Sequence, residues 1–149
     1  MPAVRRSLLL KSFWRIHRWI YARSGGQIGS KIMGTQVIRL TTLGRKSGQP
    51  RSVLLNGFLV DGEYVVVGSN AGAESHSHWY LNLATNPAVK FEVGGLQIEA
   101  VARTTQGDER DRLWSEVTSA DPSYAEYPRR TEREIPIVVL ERQNEDNQQ

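Results

Sequence analysis

The stretch RSVLLNGFLVDGEYVVVGS, Arg51 to Ser69, reads as two β-strands folded back on each other at Asp61-Gly62. An Asp-Gly pair accepts the left-handed backbone that a two-residue hairpin turn requires, so Arg51 to Val60 and Glu63 to Ser69 are predicted to run antiparallel. The same punctuation repeats on both sides. Upstream, Gln36 to Thr42 brings Val37, Ile38 and Leu40 at strand spacing and ends in the turn-rich Gly44-Arg45-Lys46-Ser47-Gly48-Gln49-Pro50. Downstream, Ala88 to Val93 and Leu96 to Thr104 flank Gly94-Gly95 as a second hairpin, and Ile135 to Leu140 forms a closing strand. Asn70 to Ser77 reads as a loop, and Trp79 to Ala84 as a short helix stopped by Asn86-Pro87. Asp108 to Ser119 is helical by the spacing of Leu113, Trp114 and Val117, and Tyr124 to Arg130 adds a further turn. Hairpins with a few inserted helices predict an α+β fold, a small antiparallel barrel with flanking helices on its outside.

The chain has 149 residues, 39% of them apolar and 23% charged, which suits one domain with a single core. Residues 1–30 read as a basic amphipathic extension, 31–142 as the barrel domain and 143–149 as a frayed polar tail. Within Leu8 to Tyr21, Lys11, Arg15 and Arg18 share one helical stripe, Leu9, Phe13, Ile16 and Ile20 another, and Trp14, His17 and Tyr21 a third. Such a helix covers a barrel end, closes a site as a lid, or lies on a membrane surface. There is no apolar run long enough to span a bilayer and no export signal, so the expected location is the cytoplasm, at the inner face of the membrane if the helix is an anchor. With no cysteine, thiolate nucleophiles, disulfides and thiolate-held metals are excluded, and redox chemistry requires a bound cofactor.

Charge is unevenly distributed. Met1 to Val60 holds eleven Lys or Arg and no Asp or Glu, whereas the remainder holds eight basic and sixteen acidic residues. A positive half of this kind calls for an anionic partner, either the acidic half of the same fold or a ligand. The acidic second half argues against nucleic acid.

Three constellations carry candidate chemistry. In the turn Gly44 to Arg51, two glycines permit a tight backbone, Ser47 adds a hydroxyl, and Arg45, Lys46 and Arg51 add three cations, which together suit a phosphate or a carboxylate; a solvated basic turn has the same composition. Trp79 and Asn82 share a helical face that can meet a planar heterocycle, or equally a core Trp and a capping Asn. Tyr124 and Tyr127 can offer phenolic hydroxyls to a developing oxyanion, or simply cover the core. His76 and His78 lie two apart with no supporting carboxylate pattern, so no metal site is expected.

Taken in order, four strings resemble one family. They are Leu40-Thr41-Thr42-Leu43-Gly44-Arg45-Lys46-Ser47-Gly48-Gln49-Pro50-Arg51; Val65-Val66-Val67-Gly68-Ser69 with Ala71-Gly72; Trp79-Tyr80 with Asn82-Leu83 and Asn86-Pro87; and Tyr124 with Arg133, Ile135 and Pro136. The chain resembles the deazaflavin-dependent nitroreductases, small split β-barrel oxidoreductases of actinobacteria that use coenzyme F-420. The resemblance implies a split barrel, commonly a homodimer, with Arg45, Lys46, Ser47 and Arg51 against the cofactor's phosphate and oligoglutamate tail. It implies deazaflavin walls at Ser52, Val53, Leu54, Leu55, Asn56 and Gly57, at Val67, Gly68, Ser69 and Asn70, and at His78, Trp79, Tyr80, Leu81 and Asn82. Ser69 and Tyr124 match positions beside the substrate, with Tyr127 and Trp14 as further substrate contacts. The chain departs from the family pattern at Ser77 and Leu81, two residues before and after the Trp, and at Asp121, where an aromatic wall is usual.

The activity so implied is transfer of a hydride from reduced coenzyme F-420 to a quinone, enone or nitro compound. Two other readings fit the residues: a flavin-mononucleotide oxidoreductase of the same barrel type, and a basic membrane-surface module without catalysis.

Overall fold

The computed structural model describes residues 35–143. The expectations for residues 1–30, Trp14 among them, and for residues 144–149 lie outside the described residues. Six strands, β1 (Thr35–Leu43), β2 (Pro50–Val60), β3 (Glu63–Val67), β4 (Ala88–Val93), β5 (Leu96–Thr104) and β6 (Ile137–Arg142), close into a barrel in the order β1-β2-β3-β6-β5-β4. Every neighbouring pair is antiparallel. Helix α1 (His78–Thr85) joins β3 to β4, and helix α2 (Gly107–Ala120) with a 3-10 helix (Pro122–Arg129) joins β5 to β6.

Alternation builds the interior. Ile38 and Leu40 of β1, Val89, Phe91 and Val93 of β4, Ile98, Ala100 and Ala102 of β5, and Val138 and Leu140 of β6 form one buried cluster. The Val, Leu, Ile and Phe side chains among them each contribute about 1.5–3 kcal/mol. Trp79 and Leu83, four apart on α1, join the cluster and seat that helix on the barrel.

A second cluster explains the continuous apolar runs of β3 and β6. Leu113 and Val117 of α2, with Tyr124 and Ile135, cover Phe58, Val65, Val67, Ile137 and Val139 from outside. Strands buried on both faces lose polar alternation, as Tyr64 to Val67 and Ile137 to Leu140 have.

Both hairpins turn as expected, with positive φ at Asp61 (52°) and Gly62 (80°) and at Gly94 (56°) and Gly95 (82°). Two strand ends move inward. β3 stops at Val67 and β6 starts at Ile137 because Pro136, opposite Gly68, accepts the Gly68 N–H but has no N–H of its own to return to the ladder. The loop after β3 also contains a short 3-10 turn, Asn70–Gly72.

Candidate functional site

β1 and β2 pair as far as Leu43 and Pro50, whereas β4 reaches β1 only over Arg39 to Thr41, so the turn between β1 and β2 projects at one end of the barrel. It is closed by two backbone bonds, Gly44 N–H to the Gln49 carbonyl at 2.8 Å and Gly48 N–H to the Gly44 carbonyl at 2.7 Å. Ser47 Oγ accepts from the Gln49 N–H at 3.1 Å and lies where a Cβ on residue 44 would stand only 2.6 Å from it. Glycine at 44 is therefore a requirement of the turn's packing. The Ser47 hydroxyl keeps its own proton for donation outward.

The three cations of this turn divide into two kinds. Arg45 is held: Asn82 Oδ1 accepts from its backbone N–H at 3.1 Å and from its Nη1 at 2.9 Å, and its Nη2 lies 3.3 Å from His78 Nδ1. Lys46 and Arg51 are exposed and, among the described residues, pair with no carboxylate. Arg45 thus braces the turn against α1, and Lys46 and Arg51 are the charges left for an anion.

The turn opens onto a cleft of about 1050 Å³. Val53 and Leu55, on the inward face of β2, with Val67 and Trp79 give it an apolar wall next to the cationic mouth. The opposite wall is the segment from Ser69 to Ser77. Its backbone is unusual, with Asn70 (φ 46°) and Ala71 (φ 54°) both left-handed, a conformation that costs a non-glycine residue roughly 1–2 kcal/mol. Arg133 holds it there. The guanidinium donates to the carbonyls of Gly68 (3.1 Å), Ser69 (3.0 Å) and Ala73 (3.1 Å), and Nη1 reaches His76 Nδ1 at 3.0 Å. Burial, then the Arg133 charge, lowers the His76 pKa below the usual histidine value. Ser77, which precedes α1, makes no cap bond, and its buried Oγ has no partner among the described residues.

Of the residues expected at a cofactor site, the cleft gathers Arg45, Lys46, Ser47, Arg51, Ser52, Val53 and Leu55 from β1–β2. It also gathers Val67, Ser69, Asn70, His78, Trp79, Leu81 and Asn82. Five others lie elsewhere. Leu54 is on the outer face of β2 and 69% exposed, because strand alternation puts it opposite Val53 and Leu55. Asn56, on that same face, donates from Nδ2 to Tyr124 Oη at 3.1 Å. Gly57 faces inward, where a Cβ would stand 2.9 Å from Ile38, and Gly68 sits against Pro136, 2.7 Å from where its Cβ would be. Tyr80 packs against His76 with the rings tilted at 49° and joins its hydroxyl to Thr104 Oγ1 at 3.2 Å.

Tyr124 is buried in the outer cluster, edge-on to Phe58 and Tyr127 with ring centroids 5.2 Å apart in each pair, and does not line the cleft. Burial raises its pKa, against the bond from Asn56. Tyr127 packs beside it with Arg130 over its ring. Asp121 presents no carboxylate to the cleft: it caps the 3-10 helix, accepting from the N–H and Oγ of Ser123 at 3.1 and 2.6 Å. Thr42, Ala71, Ser75, His76 and Ser77 line the cleft beyond the residues that the resemblance implies, as does Gly44 of the basic turn. In the sequence His76 reads only against a metal site and Arg133 only as part of a matching string; a guanidinium's carbonyl partners have no sequence signature.

The profile of the F420H(2)-dependent quinone reductase family matches residues 13–142. A Mycobacterium tuberculosis protein named as an F420H(2)-dependent quinone reductase is 38% identical over 133 residues, covering 86% of this chain and 89% of that one. A solved structure described as an F420-H2 dependent reductase superposes with a TM-score of 0.66 at 36% identity, over 71% of this chain and 94% of that one. Another, described as a domain-swapped dimer, gives 0.67 at 30% identity, over 83% and 98%. None of these four supports the flavin-mononucleotide reading. With the braced turn, the apolar wall and the pinned loop spread along one continuous match, the chain belongs to the F420H(2)-dependent quinone reductase family.

Proposed function

We propose that this protein reduces quinones with reduced coenzyme F-420, and that its cleft holds the cofactor with the tail at the β1–β2 turn. The observation that carries the reading is the pairing, in one cleft, of two cations without carboxylate partners among the described residues, Lys46 and Arg51, with an apolar wall of Val53, Leu55, Val67 and Trp79. That division matches a ligand with an anionic tail and a planar ring, and the partnerless Ser77 Oγ offers a further hydrogen bond. When bound, the cofactor supplies a hydride.

The chain's own contribution is position and electrostatics. Lys46 and Arg51 would hold phosphate or carboxylate by charge-assisted bonds, with the Ser47 hydroxyl as a neutral donor. Asn82 keeps the turn at a fixed distance from α1 through Arg45. Trp79 and the β2 side chains exclude water from the ring's end of the cleft, which strengthens any donor that meets charge on a quinone oxygen. Ser69 stands in the cleft wall as a candidate donor. Tyr124 stands outside the lining of this cleft, and its proposal as a second donor rests on the resemblance alone; its hydroxyl accepts from Asn56 and spends its proton on no described residue.

Among the described residues no helix is long and apolar enough to cross a membrane. The cationic stripe of residues 1–30 supports a proposed peripheral contact with an anionic bilayer, tested by vesicle co-sedimentation of the full chain. Pairing as a homodimer is proposed from the resemblance and from exposed Val37 and Leu54, neighbours on the outer face of β1–β2, and light scattering tests it. The function itself is tested by titrating the protein with F-420 and with flavin mononucleotide while following tryptophan fluorescence, then assaying reduction of a quinone. Tight binding of F-420 alone with quinone turnover is expected; binding of flavin mononucleotide alone, or no turnover, overturns the reading.

A further inference from the structure

Arg133 makes five contacts of under 3.3 Å and none is to a carboxylate: four go to the carbonyls of Gly68, Ser69 and Ala73, and one to His76 Nδ1. A guanidinium only donates, so the His76 Nδ1 that meets it must be the lone-pair nitrogen and the ring proton must sit on Nε2. Two circumstances make this useful. The His76 ring lines the cleft, and among the described residues its Nε2 has no hydrogen-bond partner. The groups that face the ring are Arg133 and Tyr80, whose ring centroid is 4.9 Å away and whose hydroxyl is joined to Thr104. Neither offers an anion that would favour imidazolium.

We propose that Arg133 is a positioning residue: it locks the Gly68–His76 wall of the cleft and fixes His76 as the Nε2–H tautomer, so that a neutral N–H meets the carbonyl oxygen of a bound quinone. The donor role of His76 rests on the quinone-reductase reading above, and the tautomer does not. Neutral imidazole is the suitable form of donor here. It stabilises the oxygen on which charge develops, yet it adds no cation that would draw the anionic tail of the cofactor away from Lys46 and Arg51. The left-handed Asn70 and Ala71 place strain in the same wall, and the three carbonyl acceptors on Arg133 hold the wall against relaxing.

Long-range nitrogen–proton spectra of the imidazoles test the tautomer without any ligand. The chain has three histidines, and the signal missing from His76→Gln assigns His76. Wild type should show Nε2–H with a titration midpoint below the ordinary 6.5. Arg133→Met should give mixed tautomers and a midpoint shifted upward, while Arg133→Lys, which keeps the charge, should stay below the Met variant. Unchanged tautomer and midpoint in Arg133→Met overturn the proposal. In quinone assays at saturating F-420, His76→Phe should lower kcat/KM about tenfold, and His76→Gln, whose amide N–H stands near the place of Nε2–H, should restore most of it. Equal rates in wild type and His76→Phe, or equal losses in the Phe and Gln variants, overturn the donor role. A wild-type protein that reduces no quinone sinks the functional reading, and the spectra still decide the tautomer.

Discussion

Asn82 and Arg45 are joined twice through one oxygen: Asn82 Oδ1 accepts from the Arg45 backbone N–H at 3.1 Å and from its Nη1 at 2.9 Å. The Asn82 Nδ2 in turn donates to Thr42 Oγ1 at 3.2 Å, and both of these side chains are buried. A helix, a strand end and the basic turn therefore share one amide. Replacing it with an apolar residue of similar size, Asn82→Leu, leaves the buried Thr42 hydroxyl without its donor and the Arg45 backbone N–H and Nη1 without their acceptor. We expect a loss of about 1–3 kcal/mol in stability together with weaker F-420 binding. Asn82→Asp keeps the acceptor and should bind better than the Leu variant. Thermal melts and tryptophan quenching measure both, and wild-type values for Asn82→Leu would show that the turn is rigid without its brace.

Lys46→Ala and Arg51→Ala are expected to weaken F-420 binding about tenfold each, roughly 1.4 kcal/mol, with the melting temperature nearly unchanged, because neither side chain pairs with a carboxylate among the described residues. Arg45→Ala should lower affinity and stability together, since it removes the brace. Rising salt should reproduce the effect of the two exposed cations. Dissociation constants within twofold of wild type for both exposed-cation variants would remove the turn from the cofactor site.

These contrasts show what was legible in the sequence. The hairpin at Asp61-Gly62, the Gly94-Gly95 hairpin and the helix over Trp79 to Ala84 could be read because turn glycines and periodicity are local signals. The cations of the turn were equally plain. Their division into brace and free charge was not, because it depends on Asn82, thirty-seven positions later. Leu54 shows the opposite limit: the resemblance implies the contiguous run from Ser52 to Gly57 around the deazaflavin, although strand alternation sends every second residue to the other face. Arg133 and His76 meet across fifty-seven positions, a separation at which neither composition nor spacing carries a signal.

Tyr124→Phe is expected to lower quinone turnover about tenfold while F-420 affinity stays nearly constant, with Tyr127→Phe milder. The phenol accepts from Asn56 and keeps its proton, and burial raises its pKa above the ordinary 10. The neutral form therefore persists throughout the working range, so the ratio of wild-type to Tyr124→Phe turnover should not vary between about pH 6 and pH 9. Turnover equal to wild type in Tyr124→Phe would leave Tyr124 with packing as its whole role.

The last expectation concerns stability against pH. Glu99 on β5 lies opposite Lys90 of β4, is 5% exposed, and among the described residues neither of its carboxylate oxygens has a hydrogen-bond partner. Burial outweighs the attraction of Lys90 and pushes the Glu99 pKa from 4.5 up to about 8. The folded protein thus holds this proton over a range in which the unfolded chain has released it. The contribution to stability is full below pH 4.5, declines as pH rises, and is gone once pH passes about 8. Glu99→Gln keeps the shape of the protonated acid and cannot ionise. It should match wild type near pH 4.5 and exceed it near pH 9 by about 1–3 kcal/mol, the cost of a buried, poorly bonded charge. Denaturant melts at the two pH values measure the difference. A constant gap between the two proteins across the range would mean that Glu99 is ionised in the folded state throughout, with Lys90 sufficient to hold it.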